Sequence, residues 1–205
     1  MPKKHEAPAA DLLTLLKEVA RLPERERQIL DNAMPVRVRR RIDEHWRSWA
    51  HDGQYPDASD WRVWMIMAGR GFGKTRAGSE WVSDIARANP SARIALVGAT
   101  VDDVRKVMVE GQSGILTVAK VGEELHWNAG RGELVFRSGA IAHVYSAEAF
   151  EKLRGPQHSH AWCDEVAKWA HASECWHNLL LGLREGEKPR VLVTTTPRPV
   201  AVIRV

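Results

Sequence analysis

The spacing of apolar positions changes along the chain. Over residues 9–51 it is helical: Leu12, Leu13, Leu15, Leu16 and Val19 form a wide stripe, and Pro23 opens a second short helix over 24–33. Pro35 breaks the pattern before a basic segment. There Val38, Ile42, Trp46 and Trp49 recur at spacings of 4, 4 and 3, among Arg37, Arg39, Arg40, Arg41 and Arg47. This pattern suits an amphipathic helix that packs its apolar side chains inward and leaves the arginines solvated. A basic helix bearing tryptophans also suits a phosphate backbone. The run HDGQYPDASD over 51–60 is turn chemistry and reads as a linker, dividing a helical segment, 1–52, from a second domain, 53–205.

Beyond the linker, short apolar runs alternate with helical ones. Trp61–Ala68 predicts a strand, then a glycine cluster, then a helix from Lys74 to about Ala88. Arg93–Ala99 predicts a buried strand and Val101 to about Glu110 a helix. Residues 125–145 predict paired strands, with LHWN and ELVFR joined through AGRG. A further strand ends at Asp164, 173–184 predicts a helix, and Arg190–Thr195 a last strand. The alternation predicts an α/β fold, with a largely parallel central sheet flanked by helices.

Composition narrows the class without choosing a function. The 205 residues are 44% hydrophobic and 27% charged, which is ordinary for a globular protein able to bury a core. No apolar run approaches the ~20 residues of a membrane span. The start, MPKKHEAPAADLL, lacks the apolar core of a signal peptide. Two cysteines, Cys163 and Cys175, form no disulfide framework, so a reducing, cytoplasmic setting is expected. A net charge of +4 is compatible with nucleic-acid binding and does not establish it.

The chemistry concentrates at strand ends. Ala68-Gly69-Arg70-Gly71-Phe72-Gly73-Lys74-Thr75 lies between a predicted strand and a predicted helix, the context of a phosphate-binding P-loop. Its glycines let backbone N–H groups turn toward phosphate oxygens, with the positive end of the helix behind them. Lys74 would reach the β- and γ-phosphates of ATP, and Thr75 would ligate Mg²⁺. Ala68 stands where the first glycine is usual, and the spacing disfavours a dinucleotide loop. About ninety residues on, the strand ending Trp162-Cys163-Asp164-Glu165 offers a metal-holding aspartate and a glutamate to polarise water. Thr194, Thr195 and Thr196 end the next strand, where hydroxyls could sense a γ-phosphate, or simply complete a β-branched strand before Pro197. Arg70 and Arg154 are the arginine-finger candidates. His158, His160 and Cys163, or His171, Cys175 and His177, lack the paired spacing of a structural zinc site.

Three segments together, DWRVWMIMAGRGFGKTRAGSEWV (60–82), YSAEAFEKLRGPQHSHAWCDEVAKW (145–169) and VLVTTTP (191–197), resemble the ATPase part of the large terminase subunit of tailed bacteriophages and gene transfer agents. The resemblance covers about residues 50–200 and implies a P-loop NTPase fold. It implies Asp164 as the magnesium aspartate, Glu165 as the catalytic glutamate and Thr194 to Thr196 as the segment coupling hydrolysis to movement. By the same likeness Arg154 would serve a neighbouring subunit's nucleotide, Arg70 its own, and Trp61 with Arg62 would hold the adenine. The activity implied is an ATP-driven motor that moves double-stranded DNA into a procapsid. Its partners would be the capsid portal, the small terminase subunit and further copies in a ring. Such subunits continue into a nuclease domain; this sequence stops at Val205, so nuclease activity is not expected of it. A helicase-like ATPase, or a non-catalytic assembly fragment, are the alternative readings.

Overall fold

The runs of β-branched and aliphatic residues do form the strands of one sheet in the computed structural model, which describes Val19, residues 21–56 and residues 60–197. The chain divides into two compact units, Met1–Asp52 and Gly53–Val205. In the first, Pro23 and Pro35 each stand immediately before a helix, α1 (Glu24–Ala33) and α2 (Val36–Asp43). The leucine stripe expected at 12–16 lies outside the described residues. The single amphipathic helix expected through Trp49 is not formed. Instead α2 stops at Asp43, a 3₁₀ turn occupies Trp46–Ser48, and the Trp49 indole donates to the Ile42 carbonyl at 3.0 Å. Val38 and Trp49 are exposed.

The second unit holds β1 (Val63–Met67), α3 (Lys74–Ala88), β2 (Arg93–Gly98) and α4 (Val101–Asp103), which continues as a π-helix over Val104–Val109. Then come β3 (Leu125–Asn128), β4 (Glu133–Phe136), β5 (Ile141–Ser146) and a 3₁₀ stretch, Ala147–Leu153. The chain goes on through β6 (His160–Asp164), a 3₁₀ turn (Val166–Lys168), α5 (Ala172–Gly182) and β7 (Arg190–Thr195). The seven strands lie in the order β1-β7-β6-β2-β5-β4-β3. The first five run parallel, and β4 and β3 extend the sheet antiparallel as a meander. This is the largely parallel α/β fold that the alternation predicts. Among the described residues no helix is long and apolar enough to cross a membrane.

Side-chain alternation splits the core into two layers. Ala95, Val97, Ala161, Cys163, Val191 and Val193 meet Cys175 and Leu179 of α5 on one face. Ile94, Leu96, Trp162 and Leu192 point to the other, where the Trp162 indole lies against Gly78 of α3. Cross-strand register decides where the motifs end. Met67 pairs with Thr195 and Asp164 with Thr194, so the ends of β1, β7 and β6 share one sheet edge.

Candidate active site

At that edge the backbone itself ties the three strand ends together. Ala68 N–H donates to Thr195 O at 3.2 Å, and Glu165 N–H to Thr194 O at 2.6 Å. The loop leaving β1 turns through Gly71 and Gly73, at φ 80° and 85°, before α3 begins at Lys74. Gly73 is required twice over. Its φ is left-handed, and a Cβ there would lie 2.4 Å from Gln54 Nε2.

Lys74 is buried. Its ammonium donates to the carbonyls of Ala68 and Gly69 at 2.8 and 2.9 Å and stands 4.0 Å from Glu165 Oε1. Ala68 thus contributes a carbonyl, which a first glycine would supply equally. Glu165 is the only non-glycine residue with positive φ among those described, at 49°. The left-handed turn swings its side chain back over β7. There it accepts from Thr196 Oγ1 at 2.8 Å and Thr196 N–H at 3.3 Å. The turn is held behind by the buried Trp169 indole on Asp164 O, at 3.0 Å, and by Ala167 N–H on Thr195 Oγ1, at 3.3 Å.

The threonines therefore divide their work by alternation. Thr194 and Thr196 face the carboxylates, and Thr195 faces the turn. Thr194 Oγ1 donates to Asp164 Oδ1 at 2.6 Å. Burial pushes the Asp164 carboxyl up to about 6; the bond from Thr194 opposes the rise and neighbouring Glu165 adds to it.

A cleft of about 600 Å³ opens over this edge, lined by Arg70 to Thr75 of the loop and by Glu165, Lys168 and Thr196. A smaller cavity of about 140 Å³ joins Thr75, Asp164 and Glu165. A hydroxyl and a carboxylate meeting there are the hard oxygen donors that magnesium takes beside phosphate and water, so these residues fit that ion. Among the described residues no three His, Cys, Asp or Glu side chains gather into a metal site. Cys163 and Cys175 are free and buried, and burial pushes the Cys175 thiol to about 12.

Gly69 through Thr75, Asp164, Glu165 and the threonine strand end are thus brought to one edge, with Arg70 at the mouth of the cleft. Arg154 is not. It sits in the crossover between β5 and β6, exposed and paired with Glu151 at 3.0 Å. Trp61 and Arg62 are not brought there either. They precede β1 and so lie at its far end, roughly 20 Å from the loop at ~3.3 Å per residue. Trp61 packs instead with Trp64 and Trp81, at 6.0 Å each, and under the Arg190 guanidinium, at 4.8 Å.

Residues absent from the sequence reading complete the site. Gln54, placed in the linker, is buried and donates from Nε2 to Phe72 O at 2.7 Å. Lys106, Gln112 and Ser113 line the cleft from the π-helix and the loop after it. Lys168 lines both cavities.

The family model for the terminase large subunit, T4likevirus-type, N-terminal, matches residues 65–203. No curated protein sequence matches the chain. Among solved structures, the chain resembles the large terminase ATPase domain of Thermus phage P74-26, with TM-score 0.56 and 19% identity over 73% of this chain and 66% of that one. It also resembles the HK97 bacteriophage large terminase, with TM-score 0.54 and 13% identity over 74% of this chain and 32% of that one. The large terminase of the thermophilic bacteriophage D6E in complex with ADP gives TM-score 0.52 and 13% identity, over 76% of this chain and 37% of that one. The chain therefore spans just under two thirds of the first and about a third of the other two. At these identities the likeness speaks for the fold. The family match covers most of the chain and contains the loop, the acidic pair and the threonine strand end, and through it the chain belongs to the T4likevirus-type terminase large subunits, in their N-terminal part.

Proposed function

We propose that this chain is the ATP-hydrolysing part of a viral DNA-packaging motor. It acts as a ring of copies in the host cytoplasm, with double-stranded DNA, the capsid portal and the small terminase subunit as partners. The observation that carries the reading is the convergence of Lys74, Thr75, Asp164 and Glu165 on a cleft and the smaller cavity that shares Thr75 and Glu165 with it, at the carboxyl edge of a parallel sheet. That the D6E terminase was solved with ADP and with ATP-γ-S supports a nucleotide as occupant.

The chemistry asked of the protein is positioning and charge stabilisation. Loop N–H groups and the start of α3 receive the phosphates, and Lys74 exchanges its carbonyl partners for phosphate oxygens. Thr75 and Asp164 would hold magnesium, which supplies neutralisation of the β- and γ-phosphate charge when bound. Glu165 orients the attacking water and accepts its proton. To do so its carboxylate exchanges Thr196 for water, so the strand end of β7 registers each turnover. That exchange is how hydrolysis would be coupled to movement of DNA.

The test is Mg-ATP turnover per subunit, measured against protein concentration beside Glu165→Gln. Turnover is expected to fall ~10²-fold or more in the variant, the scale of a lost general base, while ATP binding persists. Turnover equal to that of Glu165→Gln at every concentration overturns the reading.

A further inference from the structure

We propose that Trp162 is a positioning residue for the magnesium aspartate, acting through Thr194. The inference rests on the nucleotide-site reading above and adds a residue to it. Trp162 is completely buried, and its indole N–H, a donor only, reaches Thr194 Oγ1 at 2.8 Å. A threonine hydroxyl has one proton to give. Its possible acceptors here are Asp164 Oδ1 at 2.6 Å and the Cys163 carbonyl at 3.4 Å. The indole fills the acceptor side of the hydroxyl and directs that proton to Asp164. Oδ1 is thereby occupied, and Oδ2 is left for the cation. Thr194 is also fully buried and Asp164 nearly so, so solvent does not replace a missing member of the relay.

The indole is itself placed by the phosphate-loop helix. An added Cβ at Gly78 would come within 2.1 Å of Trp162 Cε2, 2.3 Å of Cζ2 and 2.7 Å of Nε1. Gly78 lies in α3, the helix that begins with Lys74. One side chain therefore spans from the helix that begins with Lys74 to the threonine that holds the Asp164 carboxylate. Alternation along β6 puts Trp162 and Asp164 on the same face, and register puts Thr194 opposite Asp164. A buried indole commonly takes whichever acceptor is near. In this position the acceptor is the group that holds the aspartate.

The test compares wild type, Trp162→Phe, Thr194→Val and the double variant by calorimetric titration of ADP, in EDTA and at a series of Mg²⁺ concentrations. Phenylalanine keeps an aromatic ring in the core and removes the N–H together with the indole edge that lies against Gly78; valine keeps the branched shape and removes the hydroxyl. Each single variant is expected to raise the Mg²⁺ midpoint for ADP binding ~3–10-fold, the effect of about one hydrogen bond. ADP affinity in EDTA stays at the wild-type value, and the double variant is no worse than Thr194→Val alone. An unchanged midpoint in Trp162→Phe, additive effects in the double variant, or an equal loss in EDTA overturns the proposal. Failure of the wild type to bind ADP under any condition overturns the nucleotide-site reading and, with it, this one.

Discussion

Gly78 sets two residue-scale effects against each other. Replacing a helical glycine by alanine gains ~1 kcal/mol of helix propensity. The new methyl would, however, stand 2.1 Å from a fully buried indole ring, and overpacking of this kind costs ~1–3 kcal/mol or more. The ring is walled in by the sheet, so the cost wins. Gly78→Ala is expected to lower the urea midpoint at unchanged m-value, and adding Trp162→Phe should restore part of the loss, because the crowded atoms lie on the side of the indole that a phenyl ring lacks. Glu165 shows the opposite relation. There a left-handed backbone, costly for any residue with a Cβ, is retained because Trp169, Thr194 and Thr195 all hold the turn around it. The strain aims the carboxylate at Thr196 and the cleft.

At the scale of elements, β6 carries opposite chemistries at its two ends. Its carboxyl end holds the acidic pair, and its start carries His160, two residues after the buried His158. Burial lowers both imidazoles to about 4, with the charge of His143 adding to the effect on His158 and that of Arg190 on His160. Both His158 ring nitrogens lack a hydrogen-bond partner, and the ring meets Tyr145 edge-on at 5.3 Å. Between their ordinary value of 6.5 and about 4, the unfolded chain binds protons at these positions that the folded protein refuses. The stability that these two histidines contribute is therefore complete above pH 6.5 and lost as pH falls through that window; the raised Asp164 carboxyl opposes the loss, and two imidazoles outweigh one carboxyl. Urea midpoints at pH 7.5 and pH 5 should show the drop, and His158→Leu should lessen it. Elements such as β6 are legible in the sequence because burial on both faces of a parallel sheet demands continuous apolar runs. The strand-end motifs are legible for a related reason: a loop, Asp-Glu or Thr run directly after such a run must emerge at a sheet edge. The order β1-β7-β6, which places Thr194 between the phosphate loop and the acid, is written in no local period. Gln54 is hidden for the same reason, since it reaches Phe72 from turn residues eighteen positions away. Lys106 and Lys168 look like ordinary solvated lysines until the fold closes the cleft around them.

For the molecule as a whole, the two arginine candidates fall on different sides of one question, whether a subunit completes its own site. Arg70 lines the cleft of its own chain. Arg154 lies outside the cleft, 65% exposed, and among the described residues its ion-pair partner is the similarly solvated Glu151. An exposed pair of this kind contributes ~0–1 kcal/mol, so little opposes its exchange for a phosphate carried by another molecule. The crossover between β5 and β6 holds that guanidinium outside its own chain's cleft, and the ring of copies proposed above is what would bring it to a nucleotide. Complementation separates the two possibilities. Lys74→Ala and Arg154→Ala proteins are each expected to lose ~10²-fold or more of Mg-ATP turnover, within the scale of arginine-finger and phosphate-lysine contributions. Mixed together, they should regain activity, because an Arg154→Ala subunit keeps an intact phosphate loop and its Lys74→Ala neighbour keeps the arginine. The regained rate should rise with total protein concentration and peak near equal proportions. A mixture as inactive as its parts, together with an Arg70→Ala variant inactive at every concentration, would assign the finger to Arg70 and make each subunit's site complete in itself.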